Sequence, residues 1–85
     1  MTKSNNCEVI ADCRLDLGGG HEFRVERIRI TGKEEPEIRF RWRKNNRHMP
    51  APMDATEGQL LNLLSKGIRA GVFTPDFRRR LKQLL

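Results

Sequence analysis

The 85-residue chain has no tyrosine, a single tryptophan, two histidines and two cysteines, and no apolar run approaching the length of a membrane span. Each scarcity closes off a class of function. Cys7 and Cys13, placed on one face of a strand, are six residues and roughly 20 Å apart, too far to bridge. They read as reduced, core-facing thiols in a reducing compartment, and a cytoplasmic location is expected. With His21 and His48 they are the only soft metal ligands, and no spacing among the four suits zinc, so neither metal nor other cofactor is expected. The stretch GGGH (Gly18–His21) lacks the Gly-Lys-Ser/Thr of a phosphate-binding P-loop, and no serine or cysteine has a base near it in sequence. The chain does not read as an enzyme. Its opening MTKSNN lacks the apolar stretch of a signal peptide, and no membrane partner is expected.

Acidic residues are scarce in the second half. Met1 to Glu37 holds six basic against eight acidic residues, whereas Ile38 to Leu85 holds eleven against three. Twelve of the seventeen cations are arginine, whose planar fork suits phosphate or carboxylate. A basic surface on a small domain attracts nucleic acid, anionic membrane or acidic protein. One domain of this size has a marginal core, so burial against a second copy is expected.

Hydrophobic spacing divides the chain into a polar tail (1–6) and one domain (7–85), with sheet over 7–53 and helices over 54–85. From Cys7 the odd positions through Leu17 are apolar and the even ones polar, with Ile10 the exception, as in a strand with one buried face. Gly18 to Gly20 supply a turn. In Glu22–Thr31 the phase slips, since Phe23 and Val25 share one parity and Ile28 and Ile30 the other; a bulge at Glu26–Arg27 restores one apolar face. Ile38 to Arg43 alternates without exception. The prolines of RHMPAPMD restrict it to a loop or short edge strand. Asp54-Ala-Thr-Glu57 has capping-box spacing, and Leu60, Leu61, Leu64 and Ile68 follow as a helical stripe ended by Gly71. Thr74-Pro75 opens a second helix with Phe77, Leu81 and Leu84 or Leu85 inward. The predicted fold is α+β: a three- to four-stranded antiparallel sheet followed by two C-terminal helices packed on one face.

Arg39, Arg41 and Arg43 alternate with Ile38, Phe40 and Trp42. With the apolar set turned to the helices, the arginines line the opposite face, and by the restored phase Arg27 and Arg29 join them there. Lys44 and Arg47 extend the row. Two readings compete. A bare guanidinium face can follow a phosphate backbone. Alternatively Glu8, Asp12, Asp16, Glu26 and Glu37 pair with the arginines across the strands and the face is a solvated ionic one. Residues 38–53 hold five basic and no acidic residues, which favours phosphate. Parity directs Trp42 to the core, although its place near the strand end leaves room for base stacking.

The stretch RIRITGKEEPEIRFRWRKNNRHMPAPMDATEGQLLNLLSKGI, about half of the chain, resembles the single-stranded DNA-binding core of the transcriptional coactivator family known as positive cofactor four, which has bacterial and phage relatives. The resemblance lies in basic strands at Arg27–Thr31 and Ile38–Arg43, a polar loop over Lys44–Pro52 and an amphipathic helix over Glu57–Ala70. It implies a dimer whose helices pack together while opposed sheets hold single strands. In it, Arg39, Arg41, Arg43, Lys44 and Arg47 match the basic strand and loop, and Trp42 the aromatic.

The function expected is that of a small basic nucleic-acid-binding protein, a homodimer preferring single strands, with contacts from Arg27, Arg29, Arg39, Arg41, Arg43, Lys44, Arg47 and Trp42 and little base specificity. The alternative is a protein-interaction module whose arginines meet acidic side chains and whose C-terminal helices form the interface. A helix-turn-helix reader of duplex DNA fits less well, because the second helix is short.

Overall fold

A computed structural model describes residues 6–85. Of the polar tail expected over 1–6, residues 1–5 lie outside the described residues, while Asn6 is tied to the sheet by the Thr31 N–H, which donates to its carbonyl at 2.7 Å. The elements are β1 (Cys7–Gly18), β2 (His21–Ile30), β3 (Glu37–Lys44), β4 (Arg47–His48), α1 (Glu57–Arg69) and α2 (Pro75–Leu84). The strands form one antiparallel sheet in the order β1-β2-β3-β4, so the α+β class is as the periodicity indicates.

The phase slip is resolved elsewhere than expected. β2 pairs without a break on both sides, and no bulge occurs at Glu26–Arg27. Instead β1 shifts register between Val9 and Ala11 and again between Asp16 and Gly18, with Ile10 and Leu17 as the extra residues. The strand that can reverse its own facing therefore does so. Ala11, Cys13 and Leu15 lie against the core, whereas Cys7 and Val9 face the other way, opposite Ile30 and Ile28. Cys7 and Cys13 thus occupy opposite faces, not one.

The core is Phe23, Val25, Leu63, Val72 and Phe73, flanked by Cys13, Leu15, Leu17, Trp42, Leu64 and Ile68. It fills the space between α1 and the β1–β2 half of the sheet. Helix α1 starts two residues later than the Asp54 box predicts. Thr56 is the cap: the Gln59 N–H donates to its Oγ1 and its own N–H donates to the Gln59 carboxamide, both at 3.0 Å. Met53 is drawn against the core, so the chain is still extended at Asp54. At the other end the Val72 N–H reaches back to the Gly67 carbonyl at 2.9 Å, a closure that needs the left-handed backbone Gly71 supplies at φ 77°. That turn delivers Val72 and Phe73 into the core.

Helix α2 is capped as its sequence indicates, the Phe77 N–H donating to Thr74 Oγ1 at 3.1 Å. Its apolar face does not pack as expected. Phe77 stacks on Phe73 with centroids 4.9 Å apart but stays 42% exposed, and Leu84 and Leu85 are 82% and 96% exposed. α1 packs on β1 and β2, whereas α2 packs only lightly on the other elements: Leu81 borders a hollow with Ile68 of α1, and Phe77 borders one with Pro36 and Ile38. The helix-side face of β3 is left open, with Ile38 39% and Phe40 45% exposed.

Gly67 lets α1 approach this closely. A Cβ there would lie 2.7 Å from Phe73 Cε2 and 3.3 Å from Val25 Cγ1, both in the packed core. Gly67→Ala should lower stability in urea unfolding by about 1–3 kcal/mol through overpacking. On helix propensity alone the same change would stabilise by up to about 1 kcal/mol, and that result would show the contact to be loose.

Candidate nucleic-acid interface

The register of β2 and β3 sorts the arginines. Ile38, Phe40 and Trp42 stand opposite Arg27, Val25 and Phe23 on the helix side. Arg39, Arg41 and Arg43 stand opposite Glu26, Arg24 and Glu22 on the other face. The alternation of β3 is therefore as predicted, and its three arginines do share the outer face.

That face is not bare. At its centre Glu26 is only 2% exposed, with Arg39 Nε donating to Oε1 at 2.8 Å and Arg41 Nη1 to Oε2 at 3.5 Å. A buried carboxylate without partners is expensive, so these two guanidiniums are structural before they are anything else. Arg24 Nη2 likewise donates to Glu22 at 3.1 Å. By register, Arg14, Arg24, Arg39, Arg41 and Arg43 share the face with Asp12, Asp16, Glu22, Glu26 and Glu37. Five cations and five anions leave it close to neutral. Of the carboxylates the ionic reading names, however, only Glu26 forms a salt bridge with an arginine among the described residues, while Glu37 holds Lys33 and Glu8 lies on the helix side.

Arg27 and Arg29 are not part of this face, which corrects their expected place. With no bulge in β2 they keep the helix-side parity: Arg27 Nη2 donates to the Gly71 carbonyl at 3.3 Å, and Arg29 stands opposite Glu8. Trp42 also lies on the helix side, where its Nε1 donates to His21 Nδ1 at 3.3 Å and the two rings lie within 12° of parallel. It borders the core and remains partly exposed.

One group of cations without a salt bridge among the described residues lies at the end of the β3–β4 hairpin. Asn45 and Asn46 take φ values of 51° and 66°, the left-handed pair that a two-residue hairpin turn requires and that asparagine tolerates. The turn sets Lys44 opposite Arg47 and Arg43 opposite His48. Arg43 Nη2 donates to the Asn46 carbonyl at 2.8 Å, holding the turn. Lys44 and Arg47 are exposed, and among the described residues no carboxylate forms a salt bridge with Arg43, Lys44 or Arg47. Periodicity places Lys44 and Arg47 on one parity and Arg43 and His48 on the other, so the tip presents cations to both faces.

His48 is the site residue the sequence reading missed. It stands beside the arginine row, where Arg41 Nε donates to its Nδ1 at 3.3 Å, a contact that needs the neutral imidazole. The signal was available: the Asn-Asn turn fixes the register that brings it there. Elsewhere, burial and then the nearby Asp12 charge raise the Cys13 thiol above its ordinary pKa, so it is a poor nucleophile. Among the described residues no group of three or more His, Cys, Asp and Glu side chains could hold a metal, and no helix is long and apolar enough to cross a membrane.

No family model matches the chain, and no curated protein or solved structure matches it either.

Burial first, and then the charges of Arg41, Arg39 and Arg43, push the His48 pKa below the ordinary 6.5. The folded state therefore favours neutral His48. Its small contribution to stability is present above the ordinary pKa and is lost as pH falls through the depressed one. An NMR titration should give a midpoint below 6.5 that rises in an Arg41→Ala variant. A midpoint at the ordinary value, unmoved by that substitution, would show that the arginine row does not act on the hairpin.

Proposed function

We propose that the protein is a small homodimeric nucleic-acid-binding module that holds single strands by their phosphates at the β3–β4 hairpin end, acting in the cytoplasm. The observation that carries this reading is the exposed Lys44–Arg47 pair, next to Arg43, with no carboxylate partner among the described residues. Phosphate is the simplest ligand for three cations gathered at one turn. Arg39 and Arg41 contribute less, since Glu26 already meets them.

Trp42 has a part in this reading even though it is off the arginine face. It shares the helix-side parity with Lys44, two residues away, and its partly exposed ring lies beside that of His21. A base carried over the hairpin end meets that aromatic surface, where stacking is worth about 1–3 kcal/mol per base. The affinity is electrostatic, the sequence preference weak, and no cofactor or catalytic step is assigned. The resemblance of Arg27–Ile68 to positive cofactor four points the same way, towards transcription.

A second reading rests on a separate observation. Leu60 and Leu61, adjacent at the start of α1, are 40% and 69% exposed, and Phe77 of α2 is 42% exposed, apolar side chains on both helices that suit an interaction module with an acidic partner protein.

Fluorescence anisotropy with labelled single-stranded DNA, duplex DNA and RNA at two salt concentrations separates the two. Salt-sensitive binding that favours single strands is expected, with a change in Trp42 emission. Lys44→Ala with Arg47→Ala should weaken binding about tenfold or more at low salt and flatten the slope of log K against log salt by about 1.4. Equal affinity in that variant overturns the hairpin-end site, and no binding by the parent chain at low salt favours the protein partner.

A further inference from the structure

β3 is paired along only part of its outer edge. β4 has two residues and covers Arg43 and Lys44, and the Met49 N–H adds one more rung by donating to the Trp42 carbonyl at 2.9 Å. From Glu37 to Arg41 the edge has no neighbouring strand among the described residues. The Trp42 carbonyl points outward, and direction alternates along a strand, so the N–H and C=O groups of Phe40 and Ile38 also point outward. The side chains of these two residues are 45% and 39% exposed on the helix side. The opposite edge of the sheet differs: β1 carries two register shifts, a common guard against edge pairing, whereas β3 has none.

We propose that the Glu37–Arg41 edge pairs antiparallel with the same edge of a second copy, about a two-fold axis at Arg39. Only registers that join outward-pointing residues can form the ladder. In the register centred on Arg39, Ile38 meets Phe40 of the second copy and the reverse, giving two hydrogen-bonded rungs and two apolar pairs. On the other face Arg41 stands opposite Glu37 of the second copy, twice, beside the Lys33 that Glu37 already holds at 2.9 Å. The two Arg39 side chains stand opposite each other, but each is already neutralised by its own Glu26 at 2.8 Å.

Neighbouring registers fail. Sliding by two in one direction sets Ile38 against Trp42, whose outward carbonyl already accepts the Met49 N–H where β4 covers the edge. Sliding the other way sets Phe40 against Pro36, which has no N–H for the rung. The backbone groups free to pair thus select one self-complementary arrangement. Phe77 shares a hollow with Ile38 and Pro36, so Phe40 of the second copy approaches Phe77 as well and some of the open apolar surface is covered. Two four-stranded sheets become one, and the two hairpin ends lie on either side of the axis. This assigns a surface to the homodimer proposed above, and it holds whether or not nucleic acid binds.

Sedimentation equilibrium and amide hydrogen exchange on the full chain, without nucleic acid, test it together. The expected result is a dimer in the micromolar range whose Ile38 and Phe40 amides are protected and lose that protection on dilution. Phe40→Lys should raise the dissociation constant by about a hundredfold or more, because two apolar pairs are lost, while circular dichroism stays unchanged. If that variant fails to fold, the exchange of the parent chain decides. A monomer at every concentration overturns both the second copy and its surface and leaves the nucleic-acid reading standing. A dimer whose Ile38 and Phe40 amides exchange at the unprotected rate overturns the edge pairing alone.

Discussion

Glu26 constrains the rest of the outer face. It is the one carboxylate buried in the sheet, 2% exposed, and it lies beneath the row where β3 carries its arginines. A charge removed from water this fully is stable only with partners of opposite sign, and Arg39 and Arg41 supply them at 2.8 and 3.5 Å. The strict arginine alternation of β3 therefore has an internal cause. It keeps guanidiniums over Glu26, while Ile38, Phe40 and Trp42 take the opposite face. Arg43, one step further along, is beyond the reach of that carboxylate, and the cationic excess begins there.

The two faces of the sheet thus divide their work. The helix side holds the core under α1 but leaves the β3 portion open, because α1 lies over β1 and β2 and α2 packs only lightly on the rest. The outer side carries Cys7, Val9, Ile28 and Ile30 at one end and elsewhere a mixed ionic surface close to neutrality, too compensated for a broad phosphate track. The turn that Asn45 and Asn46 make possible gathers cations that form no salt bridge among the described residues, Lys44 and Arg47 beside Arg43. A small sheet with an exposed apolar strand at one edge and a cationic tip at one end has two distinct surfaces for association.

The sequence disclosed the elements well and their facing less well. Alternation in Ile38–Arg43, the Thr74-Pro75 cap and Gly71 as a helix terminator were legible because each depends on neighbours in the chain. The facing of Arg27 and Arg29 was not. A slipped apolar phase shows only that a bulge exists somewhere in the pair, and β1, with Ile10 out of pattern, was as able to hold it as β2. The position of the α1 cap failed for a similar reason: Asp54…Glu57 and Thr56…Gln59 have the same spacing, and the packing of Met53 chooses between them. His48 was within reach of the sequence through the Asn-Asn turn, whose two-residue length fixes the β3–β4 register, whereas Glu26 was hidden because one acidic residue among many gives no sign of its burial.

A double-mutant cycle on Glu26 and Arg39 by urea unfolding tests the central interaction most directly. Arg39→Gln alone should cost about 2 kcal/mol or more, since it leaves Glu26 buried with one long contact to Arg41. In a Glu26→Gln background the same substitution should cost far less, giving a coupling of at least about 1 kcal/mol. Additive losses would contradict the account, showing that β3 carries its arginines for a reason unrelated to the carboxylate beneath them.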